Sequence, residues 1–301
     1  MINNSSRIYR DSLFRYIFSG RDDESKKRLL SLYNAINGSN HTDIADLKVT
    51  TIENVIYITM KNDLSFLIDS MMYLCEQQSS VNPNMPLRGL MYFAQLYQMN
   101  LSERGKDLYG SSLVKIPSPR FLVFYNGNAE MPDSFKYRLS DAFDVPDSSA
   151  DFEWTATVLN INKNHNPDLQ KSCKSLYDYT EYVNRVKENL KTKARDAAVQ
   201  EAVDYAIRQN LLDGFFKKQK MEILNMSLTE FNQEEYDRNR REEGYNEGKE
   251  AGISLGAQQK AVEAATNLLK MKILSPEQIA KAEGLPLEKV LELQKKITEL
   301  A

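Results

Sequence analysis

Residues 62–79 read Asn62-Asp63-Leu64-Ser65-Phe66-Leu67-Ile68-Asp69-Ser70-Met71-Met72-Tyr73-Leu74-Cys75-Glu76-Gln77-Gln78-Ser79. An acid leads one apolar run and a second acid closes the next. Phe66 and Ile68, then Met72 and Leu74, fit two short strands with Asp69-Ser70 as the bend between them. Paired antiparallel, these strands bring Asp63 and Glu76 together at one end of a hairpin. Two carboxylates converging at a sheet edge can hold a divalent cation through hard oxygen ligands. Glu76 and Gln78 share a strand face, because side chains repeat every second residue. The Gln78 amide can therefore reach whatever sits on that metal.

Composition bounds the alternatives. A chain of 301 residues can bury one sizeable core and carry an appendage. Hydrophobic content of 42% and charged content of 27% are those of an ordinary globular protein. A net charge of −3 supplies no global attraction for phosphate, so any nucleic acid must be met by a local patch. Cys75 and Cys173 are the two cysteines, too few for a disulfide framework, and Cys75 reads as a small buried thiol. No stretch approaches the run of about 18 apolar residues that crosses a membrane. The start, Met1-Ile-Asn-Asn-Ser-Ser6, lacks a basic-then-apolar signal. A reduced cytoplasm, with no membrane partner, is the expected setting.

Along the chain, residues 10–36 carry helical periodicity, with Phe14, Ile17 and Phe18 on one face and Leu29, Leu30, Tyr33 and Ile36 on another. Gly20-Arg-Asp-Asp23 interrupts them, with Asp22 or Asp23 as the cap. Val55 to Met60 is β-branched and apolar, hence a strand. Pro83 and Pro86 precede a helix at about 86–101, with Leu90, Phe93, Ala94 and Tyr97 on its apolar side. Arg120–Tyr125 is a buried-type strand ended by Asn126-Gly127, and Thr155–Ile161 is another. From Leu169 onward the pattern is almost wholly helical. Strands first and helices later predict an α+β fold with a helical C-terminal extension.

These blocks, taken together, resemble the PD-(D/E)XK nuclease superfamily, in which an Asp and then Glu-X-Lys on the next strand bind Mg²⁺ and cut phosphodiesters. Here the string is Asp63…Glu76-X-Gln78. The chain is more closely similar to the recombination-promoting nuclease (Rpn) group, also described as PD-(D/E)XK family transposases, in which Gln commonly takes the Lys place. Asp11-Ser-Leu-Phe-Arg-Tyr-Ile-Phe18, Lys61–Phe66, Glu76–Ser79, Asn82–Arg88, Phe124–Gly127 and Asn160–Asn162 carry the resemblance. Gln77 departs from it, standing where relatives often have His; alternation turns that side chain to the opposite face.

The resemblance implies a restriction-endonuclease-like core, a mixed sheet flanked by helices. It implies Mg²⁺ (or Mn²⁺) as cofactor and DNA as partner, with links to recombination or transposition. Asp63 would bridge the metal, with Glu76 as second ligand and the Gln77 backbone carbonyl as third, and Gln78 would orient the attacking water. An amide neither accepts a proton at neutral pH nor carries charge, so base work would fall to water on the metal or to a substrate phosphate oxygen. Asp11 matches an acid of the N-terminal helix that supports or extends the metal site; it also suits a helix cap. Asn84 and Arg88 can contact phosphate, which the planar guanidinium favours. Arg88 can equally pair with a core acid such as Glu76 or Asp11.

The nuclease-like domain is expected over residues 1–225 and a charged glycine-repeat linker helix over 226–260. Gly244, Gly248, Gly252 and Gly256 recur at four-residue spacing, on one helix face. That suits either a partly helical connector or a homo-oligomer contact; Glu242-Glu-Gly-Tyr-Asn-Glu-Gly-Lys-Glu250 is too polar for lipid. Residues 261–301 look like a helix-turn-helix, with Ser275 as cap, Pro276 at the first helical position and Gly284 in the turn. Glu288 and Glu292 on the second helix suit packing or a protein partner better than base edges. The basic stretches Lys26–Arg28, Lys187–Arg195 and Lys217–Lys220 suit solvated faces or a DNA track.

Other chemistries lack their residues. His41 and His165, in Asn-rich loops expected to face solvent, cannot make a multi-histidine zinc site. Gly105-Lys106 and Gly248-Lys249 lack the preceding glycine of a phosphate loop, and no Gly-x-Ser-x-Gly elbow occurs. The competing reading is a nuclease-fold protein, weak or inactive in catalysis, that acts as a DNA-binding or self-assembling module.

Overall fold

Strands β1 (Lys48–Val49), β2 (Leu64–Ile68) and β3 (Met71–Gln78) form the antiparallel half of one mixed sheet. Asp69 and Ser70 join β2 to β3 with φ of 49° and 60°. Two successive left-handed residues make the two-residue hairpin turn whose twist matches its strands. The Asp69 carboxylate accepts a hydrogen bond from Tyr33 Oη at 3.0 Å, tying the turn to the helix beneath. This computed structural model describes residues 13–50, 63–146, 149 and 151–299. The expected strand at Val55–Met60 and the part of the expected helix from Arg10 to Ser12 lie outside them.

The sheet continues through β4 (Ser118–Tyr125), β5 (Ser134–Arg138) and β6 (Thr155–Asn160), in the order β1-β2-β3-β4-β6-β5. β3, β4 and β6 run parallel, while β5 pairs antiparallel with β6. A parallel neighbour needs a crossover, and helix α3 (Met85–Glu103) supplies it between β3 and β4. The fold is thus α+β with a mixed sheet. β1 is too short to leave a periodic signature. β5 alternates Phe135 and Tyr137 with Ser134, Lys136 and Arg138, a two-residue period that the sequence reading passed over.

Alternation in β3 separates the two cores. Tyr73 and Cys75 face α1 (Leu13–Phe18), α2 (Asp23–Asn37) and the later helices α5 (Lys174–Leu190) and α6 (Arg195–Arg208). Phe14, Phe124 and Tyr179 meet there in tilted and edge-on contacts. The short α4 (Pro167–Ser172) and α7 (Phe215–Lys218) complete this side with the start of α8 (Lys220–Met271), whose Ile223 and Phe231 are buried in the same core. Asp22 caps α2 by accepting from Ser25 N at 3.0 Å, and Gly38 ends it at φ 63°.

Met72 and Leu74 face α3 instead, against Tyr92, Phe93 and Leu96. The buried side of α3 is Met85, Gly89, Tyr92, Phe93, Leu96 and Asn100, so Ala94, expected on it, is exposed. Tyr92 and Leu96 take that face, and the Tyr92 hydroxyl finds a polar partner as a buried hydroxyl must.

The chain divides between Asn232 and Gln233 into two units. In the second, the end of α8 packs with α9 (Pro276–Glu283) and α10 (Leu287–Glu299) around Ala265, Leu269, Ile279, Ala280 and Val290. Ser275 and Gln278 form a reciprocal capping box, and Gly284 closes α9 at φ 64°. In α8, a Cβ added at Gly248, Gly252 or Gly256 would meet nothing within 4 Å. Among the described residues nothing packs closely on Gly248, Gly252 or Gly256.

Gly89 sets the approach of α3 to the sheet. A Cβ there would lie 2.4 Å from the Phe121 ring and 3.1 Å from Trp154 Nε1. Gly89→Ala is expected to destabilise the protein by about 1–3 kcal/mol through overpacking, read as a lower midpoint in urea unfolding. A variant as stable as the parent would show that α3 slides freely at this point.

Candidate metal centre

β2 begins at Leu64, opposite Cys75, which places Asp63 opposite Glu76 where the hairpin opens. Cross-strand partners share a face, so both carboxylates lie on the α3 side with Gln78. Each acid is tied to the other strand. Glu76 Oε1 accepts from Asp63 N at 3.2 Å, and Asp63 Oδ2 accepts from Gln77 N at 2.7 Å. The clasp holds two negative groups together at a place where one of them, Glu76, is only 1% exposed.

Such an arrangement calls for positive charge, and α3 brings it. Arg88 Nη2 donates to Glu76 Oε2 at 2.9 Å and to Tyr92 Oη at 3.3 Å. Arg88 sits one turn inside the helix, whose first residues Met85 and Pro86 are buried. Arg15 of α1 also acts on Glu76 through space. Burial and the neighbouring Asp63 nonetheless push the Glu76 carboxyl well above the usual carboxylate range, against the pull of Arg88, the Asp63 N–H and Arg15. Burial, with Glu76 beside it, raises the Tyr92 hydroxyl to about 12, so it stays a neutral hydrogen-bonding group.

The Gln77 side chain points to the other face, as alternation requires. Its Nε2 donates to Asn126 Oδ1 at 2.7 Å, and Asn126 Nδ2 donates to Tyr179 Oη at 3.1 Å. Asn126 N donates to Gln78 O, so Gln78 bonds toward β4 and the Gln77 N–H and C=O both turn toward Asp63. The Gln77 carbonyl thus lies on the acids' side of the strand. Two carboxylates and a carbonyl are the hard oxygen donors that Mg²⁺ or Mn²⁺ takes. Among the described residues no group of three or more His, Cys, Asp or Glu converges.

The remaining expected residues are placed as follows. Asp11 lies outside the described residues. Asn84 is exposed at the start of α3, where its N–H bonds Asn82 Oδ1 at 3.1 Å and its carbonyl accepts from Arg88 N at 3.1 Å. Arg88 takes the pairing option, with Glu76. His41 is not a free loop side chain: Nε2 lies 2.9 Å from Asp69 Oδ2, with 27% of the side chain exposed. His165 Nδ1 lies 2.6 Å from Asp133 Oδ1.

The basic stretches are largely engaged within the chain. Lys27 pairs with Glu24 and Lys220 with Asp204, each at 2.8 Å, and Lys193 pairs with Glu201. Arg28 sits over the Phe215 ring. Lys187 reaches from α5 to the Asn126 carbonyl and to Asn162 Oδ1, closing a polar network at the carboxyl ends of β4 and β6. Asn126 belongs to the Tyr125-Asn-Gly127 block that the resemblance sets near the site, and it bonds the Gln77 side chain. Tyr92 and Arg15 have no place in that reading; the four-residue step from Arg88 to Tyr92 is the local signal that could have found Tyr92.

Comparison with protein-family models, with curated proteins and with solved structures found no match for this chain.

The raised carboxyl of Glu76 has a thermodynamic consequence. The folded protein holds the Glu76 proton more tightly than the unfolded chain does. Its contribution is therefore full below the unfolded value of about 4.3 and is lost as pH rises through the folded value. In EDTA, Tm of the parent should fall from pH 5 toward pH 8 more steeply than Tm of Glu76→Gln, whose amide mimics the protonated acid. Parallel pH profiles for the two proteins would refute that assignment.

Proposed function

We propose that this protein is a divalent-metal-dependent nuclease that hydrolyses phosphodiester bonds in DNA. The observation that carries the reading is the clasp of Asp63 and Glu76 at the opened end of the β2–β3 hairpin; strand geometry turns the Gln77 carbonyl to the edge its N–H faces. These three groups would hold Mg²⁺ or Mn²⁺. When bound, the ion supplies Lewis-acid charge stabilisation and an acidified water. The chain's own residues do the rest. Asp63 and Glu76 are held by backbone N–H groups and pre-ordered before substrate arrives. Gln78 shares the acids' face and is half-buried, a position from which its amide orients a water without taking its proton. Tyr92 and the apolar floor of Met72, Leu74 and Val123 shield one side of the acids from solvent. DNA as the substrate, and a role in recombination or transposition, come from the resemblance to the Rpn group.

The second reading, a nuclease-fold binding or assembly module, is favoured by two features. Glu76 is already paired with Arg88, and the Lys of the nuclease signature is Gln78. Supercoiled plasmid incubated with the protein in Mg²⁺ or in EDTA separates the two. Mg²⁺-dependent nicking is expected, reduced at least about a hundredfold in Asp63→Ala and Glu76→Ala, as for loss of a group that stabilises transition-state charge. Intact plasmid with all three folded proteins would leave the module reading standing and the nuclease reading refuted.

A further inference from the structure

Arg88 and a divalent cation have claims on the same oxygen. Glu76 Oε1 is engaged by Asp63 N, and Oε2 is engaged by Arg88 Nη2 at 2.9 Å. The Glu76 side chain is 2% exposed and that of Arg88 28% exposed. The guanidinium therefore has one end on a buried acid and the other toward solvent at the start of α3. Its Nη1 lies 3.5 Å from Met85 Sδ, a weak acceptor, and its centre lies 5.9 Å from the Tyr92 ring. Of the five N–H donors of a guanidinium, the strong contacts use those of one nitrogen.

A doubly charged ion drawn to Asp63 and Glu76 would meet this guanidinium within a few ångströms, in surroundings where like charges repel strongly. The ion also withdraws the acid's charge from Arg88, leaving the guanidinium without a full counter-charge. Its fork then matches what a nucleic acid supplies, a phosphate oxygen pair.

We infer that Arg88 is an ion-pair switch: it serves as the counter-cation of Glu76, yields that carboxylate to the metal, and then binds a phosphate of the substrate. The inference rests on the reading of Asp63 and Glu76 as a metal pair and adds to it an order of events. Arg88 opposes metal binding and contributes to phosphate binding only once metal is present. It also names the group that supplies the positive charge that Gln78 cannot.

The test uses the full chain and its Arg88→Met variant, which keeps most of the buried stem. Mn²⁺ affinity is measured by titration calorimetry without DNA. Binding of a short duplex is measured by fluorescence anisotropy in Ca²⁺ and in EDTA, so that cleavage plays no part. The variant should bind Mn²⁺ about tenfold more tightly, since one competing charge is gone. It should lose about tenfold of the Ca²⁺-dependent part of duplex affinity and none of the affinity measured in EDTA. A folded variant with unchanged or weaker Mn²⁺ binding would overturn the switch while leaving the metal pair intact. A wild-type protein that binds no Mn²⁺ would overturn the switch together with the metal reading beneath it. Should Arg88→Met fail to fold, Arg88→Lys decides the matter. Lys keeps the charge and loses the fork, so Mn²⁺ affinity should stay near the parental value while Ca²⁺-dependent duplex binding falls; unchanged duplex binding overturns the proposal.

Discussion

The structure is organised around the cost of keeping two carboxylates together at the edge of an apolar interior. Asp63 and Glu76 are neighbours across the hairpin, and like charges at that distance repel more strongly the less water surrounds them. Three devices answer the cost: the exchange of backbone hydrogen bonds between the two strands, the Arg88 guanidinium, and a carboxyl on Glu76 that holds its proton tightly. A group kept at such expense is seldom there for stability, since apolar side chains of similar volume would serve the core as well. That asymmetry is the physical ground for reading the clasp as a working site.

The two flanking layers each hold one side of β3 in register. On one face, α3 closes against Phe121 across Gly89, and the same close approach delivers Arg88 to Glu76. On the other, Gln77 is fixed through Asn126 to Tyr179 of α5, which orients the peptide whose N–H reaches Asp63. Small movements of either layer therefore bear directly on the acids. Lys187, bonded to the Asn126 carbonyl, extends this support to the ends of β4 and β6. Glu76 lies near the carboxyl end of β3, which runs parallel to β4, the place where such sheets leave backbone groups and loops open to a ligand.

Local features were legible in the amino-acid order because they are local. The hairpin, its Asp69-Ser70 turn, the facing of Asp63 and Glu76, the opposite facing of Gln77 and the Ser275 cap follow from two-residue alternation and from turn and cap chemistry. The apolar face of α3 was partly misjudged. Ala94 fits the helical period but faces out, while Tyr92 buries its ring and its hydroxyl accepts a hydrogen bond from Arg88. β5 carried a readable alternation, whereas β1, two residues long, carried none.

The sequence by itself determined that two acids meet at the open end of a hairpin, that the fold mixes strands with a long helical tail, and that zinc-histidine and phosphate-loop chemistries lack their residues. Tertiary structure alone decided the strand order, the pairing of Arg88 with Glu76, and the fixing of Gln77 by Asn126, 49 residues away. The physical reason is range. Alternation and capping act within a few residues, so the chain spells them out. The partner of a buried charge is chosen by which elements pack together, a choice made by the whole core and not by any stretch of it.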